Sequence, residues 1–139
     1  MTSESTPEIV EIVDEHGIVV ARKRGRELAQ ELDFKAVDAA QVATVISELA
    51  RNIYLYAKVG AIELAIVSGA EGKPGIRITA RDQGPGIADL AVVMQDGYTT
   101  SGGLGLGLPG TKRIVDEFTI SSEPGGGTVI MATKYIRRY

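Results

Sequence analysis

Ile46-Ser-Glu-Leu-Ala-Arg-Asn-Ile-Tyr54 closes a long helical pattern. Apolar residues recur at Val42, Val45, Ile46, Leu49, Ile53 and Tyr56, the three-and-four spacing of one buried helix face. The pattern predicts a helix over 35–57, ended by Lys58 and Gly60, a cation and a glycine where a helix C-terminus favours them. Glu48 and Asn52, four apart, stack one turn above the other at the edge of that stripe. A carboxylate and an amide aligned in this way offer oxygens to one small object, such as a Mg²⁺ ion with a phosphate group and its attacker. By itself the pair is also an ordinary polar helix edge. Its meaning depends on what the rest of the chain brings beside it.

Ahead of this helix, Glu8-Ile-Val-Glu-Ile-Val13 is rich in β-branched residues and reads as a strand. Asp14 can cap the helix that follows, whose buried face is marked by Ala21, Gly25, Leu28 and Leu32. A glycine inside a helix costs about 1 kcal/mol against alanine, so Gly25 predicts close packing against a neighbour. His16 has no second histidine or cysteine to act with and reads as a surface residue. Behind the central helix come two alternating strands, 61–67 and 76–81, joined by a glycine-rich hairpin loop. Ile76, Ile78 and Ala80 share one face of the second strand, and Asp82 continues that face by parity. An inward carboxylate at a strand end needs a donor there, because burying it alone is costly.

After Asp82 the chain breaks into Gln83-Gly-Pro-Gly-Ile87, and a short helix with Leu90, Val93 and Met94 on its apolar side is expected next. Residues 96–103 have no periodicity and read as a mobile loop. Leu104-Gly-Leu-Gly-Leu-Pro109 leads into a helix to about Asp116, with proline in the first turn where its missing N–H does no harm. Two further strands, 117–122 and 128–135, flank a turn at 124–127. The expected order is strand, two helices, two strands, a loop-rich segment, a helix and two strands. Residues 1–7 read as a disordered tail and 8–139 as one domain.

Bulk composition narrows the class. The 139 residues are 44% apolar and 24% charged, which is globular. Apolar runs are too short to cross a bilayer, and the acidic N-terminus is unlike a signal peptide. The absence of cysteine excludes disulfides and thiolate metal sites and fits the cytoplasm. A net charge of −3 gives no general attraction to nucleic acid. Glycine is the anomaly, with 17 residues gathered mainly at 84–86, 102–110 and 125–127.

Glycines before a helix N-terminus make an anion site, since free N–H groups and the helix dipole point at it. Gly105-Leu-Gly-Leu-Pro-Gly110 fits the dinucleotide fingerprint, yet no strand precedes it. A P-loop fails because Thr111-Lys112 stands where Lys-Ser/Thr is required, and the eukaryotic-type protein-kinase motifs are missing. There remain Glu-x-x-x-Asn on a helix, Asp-x-Gly-x-Gly at a strand end, and Gly-x-Gly-x-Gly opening a later helix.

Glu48 to Asn52, Asp82-Gln-Gly-Pro-Gly86 and Gly103-Leu-Gly-Leu-Gly107 resemble, in order and spacing, the three boxes of the GHKL ATPases. That superfamily includes gyrase, the histidine kinases and the anti-sigma-factor serine kinases, and the resemblance runs from about residue 8 to the end. Residues 46–57, 82–87, 100–105, 108–110 and 116–118 resemble most closely the stressosome switch kinases. The resemblance implies an α/β fold, the α+β two-layer Bergerat sandwich, with a mixed sheet covered on one face by helices. It implies ATP and Mg²⁺ as cofactors and serine or threonine phosphorylation on STAS-domain proteins (RsbS-like and RsbR-like). It further implies release of the kinase onto an RsbU-like regulator of the PP2C phosphatase type, with neither nucleic acid nor membrane as partner.

Residue by residue, the resemblance assigns Asp82 to the adenine amino group, with Gly84, Gly86 and Ile87 under the base and Thr128 closing its pocket. It assigns Asn52 to Mg²⁺, and Gly103, Leu104, Gly105, Leu106 and Gly107 to the phosphates. It makes Glu48 the catalytic base. Residues 89–110 contain no Lys or Arg, whereas related kinases place an arginine near the γ-phosphate from this region, which leaves Arg51, Lys58, Lys112 or a partner to supply a cation. Two rival functions stay open at this point: an anti-sigma-factor kinase that also sequesters a sigma subunit, and a nucleotide-dependent binding module.

Overall fold

The computed structural model describes residues 3–86, 94 and 107–137. Its strands are β1 (Ser3–Glu4), β2 (Glu8–Ile12), β3 (Gly60–Ser68), β4 (Pro74–Asp82), β5 (Glu117–Ser122) and β6 (Thr128–Tyr135). Among the described residues the helices are α1 (Glu15–Glu31), α2 (Ala36–Asn52) and α3 (Gly107–Ile114), with a π-helical turn at Ile53–Ala57 and a 3₁₀ turn at Ala70–Gly72. The element order is the expected one with β1 added. The expected short helix near Leu90 and Val93 and the loop at 96–103 lie outside the described residues; Met94 packs partly buried against the core.

The sheet runs β1-β3-β4-β6-β5, with β2 also paired to β3. Every pair is antiparallel among the described residues, where a mixed sheet was expected. The reason is which strand takes the inner place. α3 carries the chain back across the layer, so β5 runs in the direction of β4; β6, returning, is the strand that docks beside β4. Ser3–Glu4, expected to lie in a disordered tail, pairs with Ser68 and Val67, and Glu4 meets Arg77 at 3.4 Å. β2 covers only the first half of β3's edge, which leaves the second half for β1 to pair with.

Strand alternation divides the sheet into two faces. Ile12, Ile62, Leu64, Ile76, Ile78, Ala80, Ile130 and Ala132 are buried on the face toward the helices. The other face carries ion pairs such as Arg81–Glu63 at 2.7 Å. α2 is the inner helix, burying Val42, Val45, Ile46 and Leu49 against the sheet and α1. Asp14 caps α1 by accepting from Gly17 N at 3.1 Å. A Cβ on Gly25 would collide with Ile46 Cδ1, so the α1–α2 approach requires that glycine.

The central helix ends differently from its sequence pattern. α-Helical geometry stops at Asn52, and the last turn widens so that Lys58 N reaches Ile53 O at 2.8 Å. Such π turns are frequent at functional sites. The left-handed residue after it is Lys58, with φ 70°, rather than the glycine at 60. Gly60 is constrained by space instead: a Cβ there would stand 2.5 Å from Arg81 O and 2.7 Å from Ile53 Cγ2.

Candidate functional site

The site is built from the ends of four elements: α2, β4, β6 and α3. On α2, Glu48 is buried and its Oε1 lies 3.5 Å from Arg51 Nη1. Asn52, one turn on, has a buried Oδ1 with no hydrogen-bond partner among the described residues. A carbonyl oxygen hidden from water and unpaired loses about 1–3 kcal/mol of hydration without return. The position fits a ligand that supplies the missing partner, and a neutral amide oxygen suits a hard cation.

Ile53, the next residue, places its Cγ2 where Gly60 leaves room, and Gly60 is the cross-strand partner of Asp82. Asp82 in turn pairs with Thr128 on β6, and Thr128 with Ser122 on β5. Residues directly opposite in antiparallel strands share a face. Asp82, Thr128 and Ser122 thus form one polar row at the end of the sheet, beside the end of α2. The strand-end parity reading of Asp82 holds, with the carboxylate half-buried. Its Oδ1 accepts from Gly84 N at 2.9 Å, which leaves the carboxylate's other oxygen for a further donor.

Thr128 is buried, and its Oγ1 lies 2.8 Å from Ser122 Oγ. Ser122 Oγ donates to Gly127 O at 3.1 Å, which leaves Thr128 Oγ1 as the donor into Ser122 Oγ. Ser122 was not singled out from the sequence. Only its register opposite Thr128 reveals it.

The loop after β4 is held from both sides. A Cβ on Gly84 would stand 2.6 Å from Ala57 Cβ, and one on Gly86, where φ is 78°, would meet Glu123 O. Pro85 O also accepts from Gly125 N at 2.7 Å. These glycines are thus required by packing against the π turn and the β5–β6 turn, whatever they do under a base. Gly107 opens α3 with φ 67°, and its carbonyl accepts from Thr111 Oγ1 at 3.1 Å. Ile87, Gly103, Leu104, Gly105 and Leu106 lie outside the described residues. Of the candidate cations, Arg51 stands next to Glu48, whereas Lys58 and Lys112 are exposed.

Residues 37–137 match the family described as histidine kinase-, DNA gyrase B- and HSP90-like ATPase. The chain is 56% identical over 128 residues to the serine/threonine-protein kinase RsbT of Bacillus subtilis, covering 92% of this chain and 96% of that protein. It is 33% identical over 115 residues to an anti-sigma F factor of Thermoanaerobacter, covering 78% of each. Among solved structures it resembles a Mycobacterium tuberculosis protein with RsbU and RsbW domains, with a TM-score of 0.65 at 20% identity, over 96% of this chain and 34% of that one.

Proposed function

The chain belongs to the family of histidine kinase-, DNA gyrase B- and HSP90-like ATPases and is an ATP-using serine/threonine-protein kinase of the partner-switching kind; from that premise we propose how its site works and on what. Asp82, backed by Thr128 and Ser122, receives the adenine amino group. Asn52 would hold Mg²⁺, which when bound would offset phosphate charge. Glu48 orients the substrate hydroxyl and takes its proton as the hydroxyl oxygen bonds to the γ-phosphorus. The bond from that phosphorus to the bridging oxygen breaks, and the electron pair leaves with ADP. Phosphoryl transfer asks the protein chiefly for positioning and charge stabilisation, which suits one buried carboxylate among fixed helix and strand ends.

The observation that carries this reading is the unpartnered Asn52 Oδ1, one turn beyond the buried Glu48 and joined through Ile53 and Gly60 to Asp82. The substrates we propose are STAS-domain scaffold and antagonist proteins of a stressosome, in the cytoplasm. The output we propose is activation of an RsbU-like PP2C-type phosphatase once the kinase is released. The identity to a kinase over nearly the whole of both chains supports this above sigma-factor sequestration. Incubation with ATP, Mg²⁺ and candidate STAS proteins, read by intact mass, should add one acid-stable phosphate to the target. ATP binding without transfer to any STAS protein would sink the substrate assignment, and capture of a sigma subunit would favour the anti-sigma reading.

A further inference from the structure

Lys134 is out of place by composition. Thr128, Ile130, Ala132 and Lys134 alternate toward the helix side of β6, and Lys134 is only 2% exposed. A buried ammonium is strongly unfavourable unless it is paired and hydrogen-bonded. Here Nζ donates to Ile114 O at 2.8 Å and lies 3.7 Å from Asp38 Oδ1. Asp38 is itself buried, and Arg137 Nε approaches it from the half-exposed side at 3.4 Å.

Both partners sit at helix ends. Ile114 is the last residue of α3, so the ammonium meets the carbonyl end of that helix. Asp38 lies in the first turn of α2, where the dipole favours an anion. The end of α3 is fastened to β6 again by Asp116 N to Thr133 O at 2.9 Å and Tyr135 N to Asp116 Oδ2 at 2.7 Å. Lys134 thus joins the C-terminal end of α3 to the N-terminal end of α2. The opposite ends of the same two helices carry Gly107 and the Glu48–Asn52 pair.

We propose that Lys134 is a positioning residue for nucleotide binding, a pin that fixes the angle between α2 and α3 and so the distance between their functional ends. The inference rests on the site reading given under Proposed function. From Ile114 back to Gly107 is about 10 Å along a helix, and from Asp38 to Glu48 about 15 Å. A tilt of about 5° at the pin therefore moves either functional end by roughly 1 Å, a displacement that can lower a rate by about a hundredfold. Neither Lys134 nor Asp38 touches the nucleotide in this account. They act through the helices.

The test compares wild type, Lys134→Met and Asp38→Asn for Mg-ATP affinity by calorimetry, at a temperature where circular dichroism shows all three folded. Hydrogen exchange on the same samples follows the amides of α3 and of β4. Lys134→Met should weaken ATP roughly tenfold or more, the worth of about one charged hydrogen bond lost at the misplaced helix ends, and speed exchange in α3 while β4 stays protected. Asp38→Asn keeps the bond to Ile114 and should give a smaller loss in the same direction; it carries the test alone if Lys134→Met does not fold. Wild-type ATP affinity in a folded variant with a lowered melting temperature would overturn the inference and leave the pair purely structural. Absence of ATP binding by the wild type would overturn the site reading itself, and the inference with it.

Discussion

Replacing Asp82 by asparagine tests the adenine end of the site without disturbing its frame. Asp82 Oδ1 accepts from Gly84 N at 2.9 Å, and an asparagine carbonyl can keep that bond. Stability should therefore change by less than the ~0.5–1.5 kcal/mol of an ordinary hydrogen bond. The other oxygen becomes an NH₂ group, a donor facing the donating amino group of adenine. The lost charged hydrogen bond is worth about 1.5–3 kcal/mol. At about 1.4 kcal/mol per decade, that is roughly a ten- to hundredfold rise in Kd. Calorimetric titration with ATP measures it, with thermal melting as the control on folding. A purine nucleoside triphosphate lacking the 6-amino group sharpens the assay, because wild type should bind it weakly and Asp82→Asn should weaken it little further. Equal losses for both nucleotides, or unchanged ATP affinity in a folded variant, would refute the assignment of Asp82 to the base.

Glu48→Gln keeps the volume of a buried side chain and should still bind ATP, while phosphate transfer falls by about 10²–10⁴, the contribution of a positioned general base; transfer at the wild-type rate would remove it from the chemistry. Asn52→Ala deletes an oxygen that has no partner among the described residues, so thermal melting should not show the ~0.5–1.5 kcal/mol loss of an ordinary hydrogen bond. The same variant should bind ATP no better with Mg²⁺ than with EDTA, and a retained metal effect would count against Asn52 as a ligand. Gly127→Ala forces a side chain onto a residue with φ 82° and against Asp82 O, and should destabilise by more than the ~1–2 kcal/mol of left-handed backbone alone; a melting curve like that of wild type would contradict this. Tyr135 donates to Glu117 Oε2 at 3.0 Å, and burial first, then that bond, raise its pKa above the usual 10.0. The folded state holds this proton more tightly, so the stability involved is full below about pH 10 and is lost as pH rises through the folded-state value. Tyr135→Phe should flatten the alkaline branch of a denaturation series; an unchanged branch would assign the loss to other groups.

Much of the fold was legible because its signals are local. The stripe from Val42 to Ile53, the alternation through Ile76, Ile78 and Ala80, and the Asp14 cap each depend on neighbours within a few residues. Gly25 was legible for the same reason: a helix-weakening residue on a buried face implies a close neighbour, and Ile46 is that neighbour. The central helix ends where expected, at Ala57 and Lys58, but the π form of its last turn was not legible, since periodicity continues through Ile53 and Tyr56 whether the turn is α or π. Lys58 takes the positive-φ position that glycine usually fills, and Gly60 is required instead by space against Arg81 O. Whether β5 or β6 lies beside β4 is set by packing across the whole sheet, and no short motif records it.

The same division separates the parts of the site. Glu48, Asn52 and Asp82 stand in short motifs because each lies on a single element at a fixed spacing, the form in which the nucleotide contacts we propose would be written in the sequence. Ser122 became visible only through register, and the Asp38–Lys134 pair joins positions 96 apart in sequence. One signal for Lys134 was nonetheless present: in β6 the inward parity that selects Thr128 also selects residue 134, and a lysine on that face demands a buried anion or carbonyl. Applied to β4, the same rule found Asp82, whose inward carboxylate implied a donor. An inward charge at a strand's end is thus ambiguous between a ligand contact and an internal pin, and the end of the sheet it occupies decides. β4 ends beside the start of β6 and the end of α2, where the functional helix ends gather; β6 ends at the opposite edge, beside the start of α2 and the end of α3. Lys134 therefore has internal partners, while Asp82, bonded to Gly84 N through one oxygen, keeps the other for the ligand we propose, although the strand pattern alone treats them alike.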